Sequence, residues 1–272
     1  MKGGMSTTIA LLLLTACSGE PAPTTTSTAL DESTKSPALV KGDPVEGLRV
    51  ATRVGCNGCH GEHGGGEALW SEPGEFSLVA PNLTEKRELY DDAGLERLLR
   101  HGQTHDGHVP FGMPVKMFQH LSDREVRDIA AWLRSLPEAA NPTLENSWFS
   151  DDIAKQIKDG THPYSEDMQP DPGNLPPGEP PTETLALGRH LAMTSCGECH
   201  GWDLNGFEGD DAPSLIVAKA YSAENFSRLM RTGLTASGKE SKTGLMSGVA
   251  RWRFKPMSDA EIAALKAYLD SR

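Results

Sequence analysis

The sequence has no apolar stretch long enough to cross a bilayer, which takes about 20 consecutive apolar residues. Its main apolar run, Ile9 to Leu14, is far shorter. It has no basic excess either: 26 Lys and Arg against 38 Asp and Glu leave a net charge of −12. The electrostatic footprint of a nucleic-acid binder is therefore missing, and an acidic surface favours partners with basic patches. There is no nucleophile elbow, phosphate loop or dinucleotide fingerprint, and the glycines at 64–66 follow no predicted strand. Aromatic residues are scarce at 6% and hydrophobic residues reach only 37%, below the usual share for a globular domain. Cysteine is scarce as well, and four of the five cysteines fall in two short motifs.

Those motifs are Cys56-Asn57-Gly58-Cys59-His60 and Cys196-Gly197-Glu198-Cys199-His200. Cys-x-x-Cys-His is the attachment signature of c-type haem. Two thiols at this spacing can each form a thioether to one vinyl group of the same porphyrin, and the adjoining His becomes the proximal iron ligand. A zinc site would bring the two cysteine pairs together, and a redox dithiol needs no following His. The expected cofactors are two covalently bound haem c groups, on Cys56, Cys59 and His60 and on Cys196, Cys199 and His200. A porphyrin also supplies buried apolar surface, so thin cores are tolerable.

Residues 1–16 read as an export signal: Lys2 is the basic flank, and Thr15-Ala16 are the small residues before Cys17. Leu14-Thr15-Ala16-Cys17 resembles the lipobox of bacterial lipoproteins. The resemblance implies that Cys17 becomes a lipidated N-terminus, a stable anchor once it carries more than one acyl chain. Ser18 at the next position leans towards the outer membrane. An ordinary signal peptide with a stray Cys is the alternative. Residues 17–41 are rich in Pro, Thr, Ser and Ala and read as a disordered tether.

The rest divides into two helical modules, 42–137 and 182–272, joined by 138–181. In the first, Asp43-Pro44-Val45-Glu46 starts a helix that ends near Val54 and delivers Cys56. Residues 61–80 read as loop. Asp91 or Asp92 caps a helix bearing Leu95, Leu98 and Leu99 and ended by Gly102. Ser122-Asp123-Arg124-Glu125 is a capping box ahead of a stripe of Val126, Ile129, Leu133 and Leu136. The second module repeats this order. A helix starts at Thr182 or Thr184, Ala212-Pro213-Ser214-Leu215 matches Ala80-Pro81-Asn82-Leu83, and Leu229-Met230-Arg231-Thr232-Gly233 matches Leu98 to Gly102. Ser258-Asp259-Ala260-Glu261 repeats the capping box. Between the modules, 148–159 fits one short helix with Phe149, Ile153 and Ile157 on a face. The prolines from Pro170 to Pro181 read as an extended spacer. This segment either lies across both modules or is a flexible linker.

The motifs and their repeated frame, over about 42–272, resemble a two-domain dihaem cytochrome c built of class I cytochrome c-like modules. The resemblance implies an all-α fold of two tandem domains. It also implies a distal Met on the loop before each C-terminal helix: Met113 in Gly112-Met113-Pro114, with Met117 as rival, and Met246, with Met257 as rival. His101, His105, His108 and His120 lie near the first ligand loop, so a bis-His site is conceivable there. No His follows His200. With His60, Met113, His200 and Met246 on the metals, both irons are six-coordinate, which suits an electron carrier with no catalytic residues. The expected setting is periplasmic, between a donor and an acceptor redox protein, with no nucleic-acid partner. A dihaem peroxidase is the competing expectation, and it would need one distal site to open.

Overall fold

The structure is a computed structural model that describes residues 41–272. The export signal, Cys17 and the tether lie outside the described residues. Helix α1 (Pro44–Val54) begins where the Asp43 carboxylate accepts from the amides of Val45 and Glu46. It leads into the short α2 (Cys56–His60), a hairpin of β1 (Glu67–Glu72) and β2 (Phe76–Ala80), and the short α3 (Leu83–Lys86). Helix α4 (Asp92–His101) is capped by Asp91, and the one-turn α5 (Val115–Phe118) precedes α6 (Asp123–Ser135). The connecting segment holds β3 (Trp148–Phe149) and α7 (Asp151–Asp159). The second half then supplies α8 (Thr184–Ser195), α9 (Gly197–His200), α10 (Ala223–Thr232), α11 (Leu245–Trp252) and α12 (Asp259–Ser271). Ser122 with Glu125, and Ser258 with Glu261, close complete capping boxes at the starts of α6 and α12.

In each half the first long helix crosses the last with backbone against backbone. A Cβ at Gly47 would stand 1.9 Å from the Asp128 carbonyl oxygen of α6, and one at Gly188 would stand 2.1 Å from that of Ala264 on α12. Only glycine permits this approach. Two hydrophobic cores result. Val50, Val54, Leu95, Leu99, Met117, Leu121, Ile129 and Leu133 fill the first, and Leu191, Phe226, Met230, Phe254, Met257, Ile262, Leu265 and Leu269 fill the second. The all-α, two-part architecture expected from the repeat is what the chain forms.

Two local expectations differ. Residues 61–80 are not all loop: β1 pairs antiparallel with β2, and β3 adds a third strand from far along the chain. Trp148 and Phe149 belong to that strand, so the helix there begins only after the Ser150 cap. α8 starts at Thr184, one of the two expected positions, behind a Glu183 cap whose carboxylate accepts from the Ala186 amide at 2.8 Å. The proline-rich segment is irregular but pinned to the first half: the Asp123 and Arg124 amides donate to the Pro177 and Gly178 carbonyls at 2.9 and 3.0 Å. Gln119 and Asp171 bond to one another beside them.

The halves meet through paired charges. Arg53 is almost wholly buried and donates to Thr194 Oγ1 at 2.6 Å, Ser195 Oγ at 2.7 Å and Glu125 Oε1 at 2.6 Å. His190 Nε2 lies 2.8 Å from the other Glu125 oxygen, so this histidine is buried in the contact. Burial alone would raise the Glu125 carboxyl, but the His190 hydrogen bond and the Arg53 charge outweigh it and pull it down to about 2. One turn earlier on α1, Arg49 forks onto both Glu261 oxygens at 2.9 Å. Both capping-box glutamates thus pair with arginines of α1.

Candidate functional site

Each Cys-x-x-Cys-His is delivered by a long helix ending just before it. α1 stops at Gly55, which takes a left-handed φ of 94°, and the chain winds again as α2. α8 runs to Ser195, and α9 follows after Cys196 without a left-handed residue. The chain then folds back under each histidine by the same bonds. The Gly66 amide donates to the His60 carbonyl at 2.9 Å, and the Gly206 amide donates to the His200 carbonyl at 2.6 Å.

These turns fix the rings. His60 Nδ1 is 2.9 Å from the Pro81 carbonyl oxygen and His200 Nδ1 is 2.7 Å from that of Pro213. A carbonyl only accepts, so the proton sits on Nδ1, leaving the Nε2 lone pair for a metal. Burial lowers the pKa of both rings, the two carbonyl hydrogen bonds opposing it in part. Asn82 and Ser214, one residue beyond each Pro, cap the short helical turns that follow and hold the carbonyls in place.

No disulfide joins the four motif cysteines. Burial pushes the Cys56 and Cys196 thiols up to about 12, and raises Cys59 and Cys199 as well. A reactive dithiol requires the opposite shift; a thioether sulfur has no proton to lose. Among the described residues no three His, Cys, Asp or Glu side chains converge as a bare metal ion would need. Two thiols on one turn beside a neutral, tautomer-fixed imidazole suit covalently bound haem.

The methionines divide by burial. Met117 is fully buried within the first core and Met257 is 3% exposed within the second. Met113 and Met246 are half-buried at the edges of those cores. Gly112 and Pro114 flank Met113 on a loop whose Met113 amide donates to the Pro110 carbonyl at 3.0 Å. Met246 lies in the first turn of α11, just after Gly244. The other histidines are spread out. His63, His101, His105 and His108 are exposed, with His108 on Asp106, and His162 stacks edge-on against Phe111 at 4.9 Å. His120 is half-buried, and burial together with the Arg189 charge lowers it to about 4. The side chains that sequence reasoning missed here are Arg53 and Arg253, since one arginine in a long chain leaves no local pattern.

Residues 43–133 match the family model described as cytochrome C oxidase, cbb3-type, subunit III. Residues 185–272 match the one described as cytochrome c. No curated protein matches the chain.

Proposed function

Because the chain is a two-domain cytochrome c, a haem-based electron-transfer protein, we propose that it is a dihaem carrier that passes single electrons between a donor and an acceptor protein. In this reading Cys56 with Cys59, and Cys196 with Cys199, form the thioethers. His60 and His200 are the proximal ligands, and Met113 and Met246 the distal ones. Haem c would supply the one-electron couple, and a thioether donor in place of a second His would favour the ferrous state. The protein's part is to fix ring and tautomer through the Pro81 and Pro213 carbonyls, exclude water with the two cores, and keep both iron faces filled. No proton donor or acceptor is required.

The single observation that carries the reading is the duplicated hydrogen bond from each motif histidine to a proline carbonyl. A redox Cys-x-x-Cys has no use for a histidine so prepared. The likeness of residues 43–133 to an oxidase subunit supports work beside an oxidase. The lipobox-like Cys17 supports a periplasmic, lipid-anchored setting, leaning to the outer membrane. Haem quantification with a redox titration tests the proposal: two attached porphyrins and two reversible one-electron waves are expected. Peroxide turnover above background would replace the carrier with an enzyme.

A further inference from the structure

Trp252 and Arg253, consecutive at the end of α11, reach out of the second half onto the first motif. The Trp252 ring covers Gly58, where a Cβ would meet it at 3.0 Å. The Arg253 Nε donates to the Arg53 carbonyl and Nη2 to the Val54 carbonyl, each at 2.8 Å. These are last-turn carbonyls of α1, immediately ahead of Gly55 and Cys56, and a helix end leaves such acceptors free. A Cβ at Gly55 would stand 2.9 Å from the guanidinium carbon. The remaining fork, Nη1, donates at 2.8 Å to Glu198 Oε2, inside the second motif. Arg253 is 7% exposed. One side chain therefore touches the approach to the first motif and the middle of the second, and its charge reaches all four attachment cysteines.

We propose that Arg253 is a shared positioning residue that locks the two Cys-x-x-Cys-His motifs against each other and, through its charge, biases both iron sites towards the reduced form. This rests on the two-haem reading above. Going from ferrous to ferric adds one positive charge to a site, and a nearby buried cation opposes that addition. Glu198 acts in the opposite sense and holds the guanidinium in place. Three hydrogen bonds of Arg253, to Arg53, Val54 and Glu198, join the end of α1 that delivers the first motif to the second motif.

The test is spectroelectrochemistry on the full chain with haem counted in every sample. Arg253→Gln is expected to shift both potentials downward, and Glu198→Gln to shift both upward. Loosened packing alone would move the two variants the same way, so opposite signs separate charge from structure. Two retained haems with unchanged potentials in Arg253→Gln would overturn the proposal, and a shift confined to one haem would overturn the shared role. Should Arg253→Gln fail to fold, Glu198→Gln decides alone: an upward shift of both potentials supports the proposal, and no shift or a downward one overturns it. Fewer than two haems in the unaltered protein would overturn the two-haem reading itself, and this inference with it.

Discussion

The two halves hold the same histidine-to-proline bond with different amounts of chain. His60 and Pro81 are 21 positions apart, His200 and Pro213 only 13. The first half spends its surplus on the β1–β2 hairpin, which the connecting segment then covers with β3 and with Phe149 stacked on Phe76 at 6.4 Å. The second half closes the same loop with a single bridge between Gly206 and Pro213. The shorter route has a cost. Leu204, which takes the place of Gly64, adopts a left-handed φ of 64°, alone among non-glycine described residues. Such a backbone costs about 1–3 kcal/mol. Leu204 is 1% exposed, and burying a leucine returns roughly 1.5–3 kcal/mol, so the trade is close to even. What both halves keep is the bond that orients the imidazole; what differs is elaboration around it.

Replacing one cysteine pair gives the largest effect. Cys56→Ser with Cys59→Ser, or Cys196→Ser with Cys199→Ser, should halve the covalently attached haem, read by pyridine haemochrome. If either pair abolished both haems, the halves would not be equivalent holders. Next come the distal ligands. Met113→Ala and Met246→Ala should each lower one potential and remove one sulfur-to-iron charge-transfer band. A band that survives its own substitution would give the ligand role to another residue. Met117→Ala and Met257→Ala should keep both bands while destabilising the fold by about 2–5 kcal/mol, since each empties part of a core; urea titration measures this.

Acid acts on both capping-box glutamates, each held below the ordinary carboxyl range. Glu125 titrates below an ordinary carboxyl, so its stabilisation is complete above the unfolded-state value and fades as pH falls towards about 2. The loss is on the order of 3 kcal/mol, and Glu125→Gln should flatten that part of the stability profile. The smallest contrast is Ser122→Ala against Ser258→Ala. An N-cap is worth about 1 kcal/mol, and the first should cost more. Ser122 is wholly buried and also donates to Glu125. Equal melting shifts would show that the buried network around Arg53 adds nothing to that cap.

The motifs, the caps and the order of helices were legible because each is local. Asp43-Pro44, Ser122 to Glu125 and Ser258 to Glu261 are signals within four residues, and the folded chain uses all three as caps. The hairpin was not legible. Every residue of β1 is exposed, so no alternation marks it, and its sheet is completed by Trp148 and Phe149 from far along the chain. His190 was no clearer, because its partner Glu125 lies 65 positions away. Nor could composition decide between a flexible linker and a fixed one at 170–181. The answer lay in free amides at the start of α6, a property of the fold and not of the prolines.

That last arrangement bears on how the molecule withstands damage. With the Asp123 and Arg124 amides bonded to the carbonyls of Pro177 and Gly178, the strap is stitched to the body it crosses. Severing the polypeptide at its exposed stretch near Leu175, which is 90% exposed, would leave two fragments gripping one another through Arg53 on Thr194 and Ser195, Glu125 on His190, and Arg49 on Glu261. A nicked molecule would still travel as one particle.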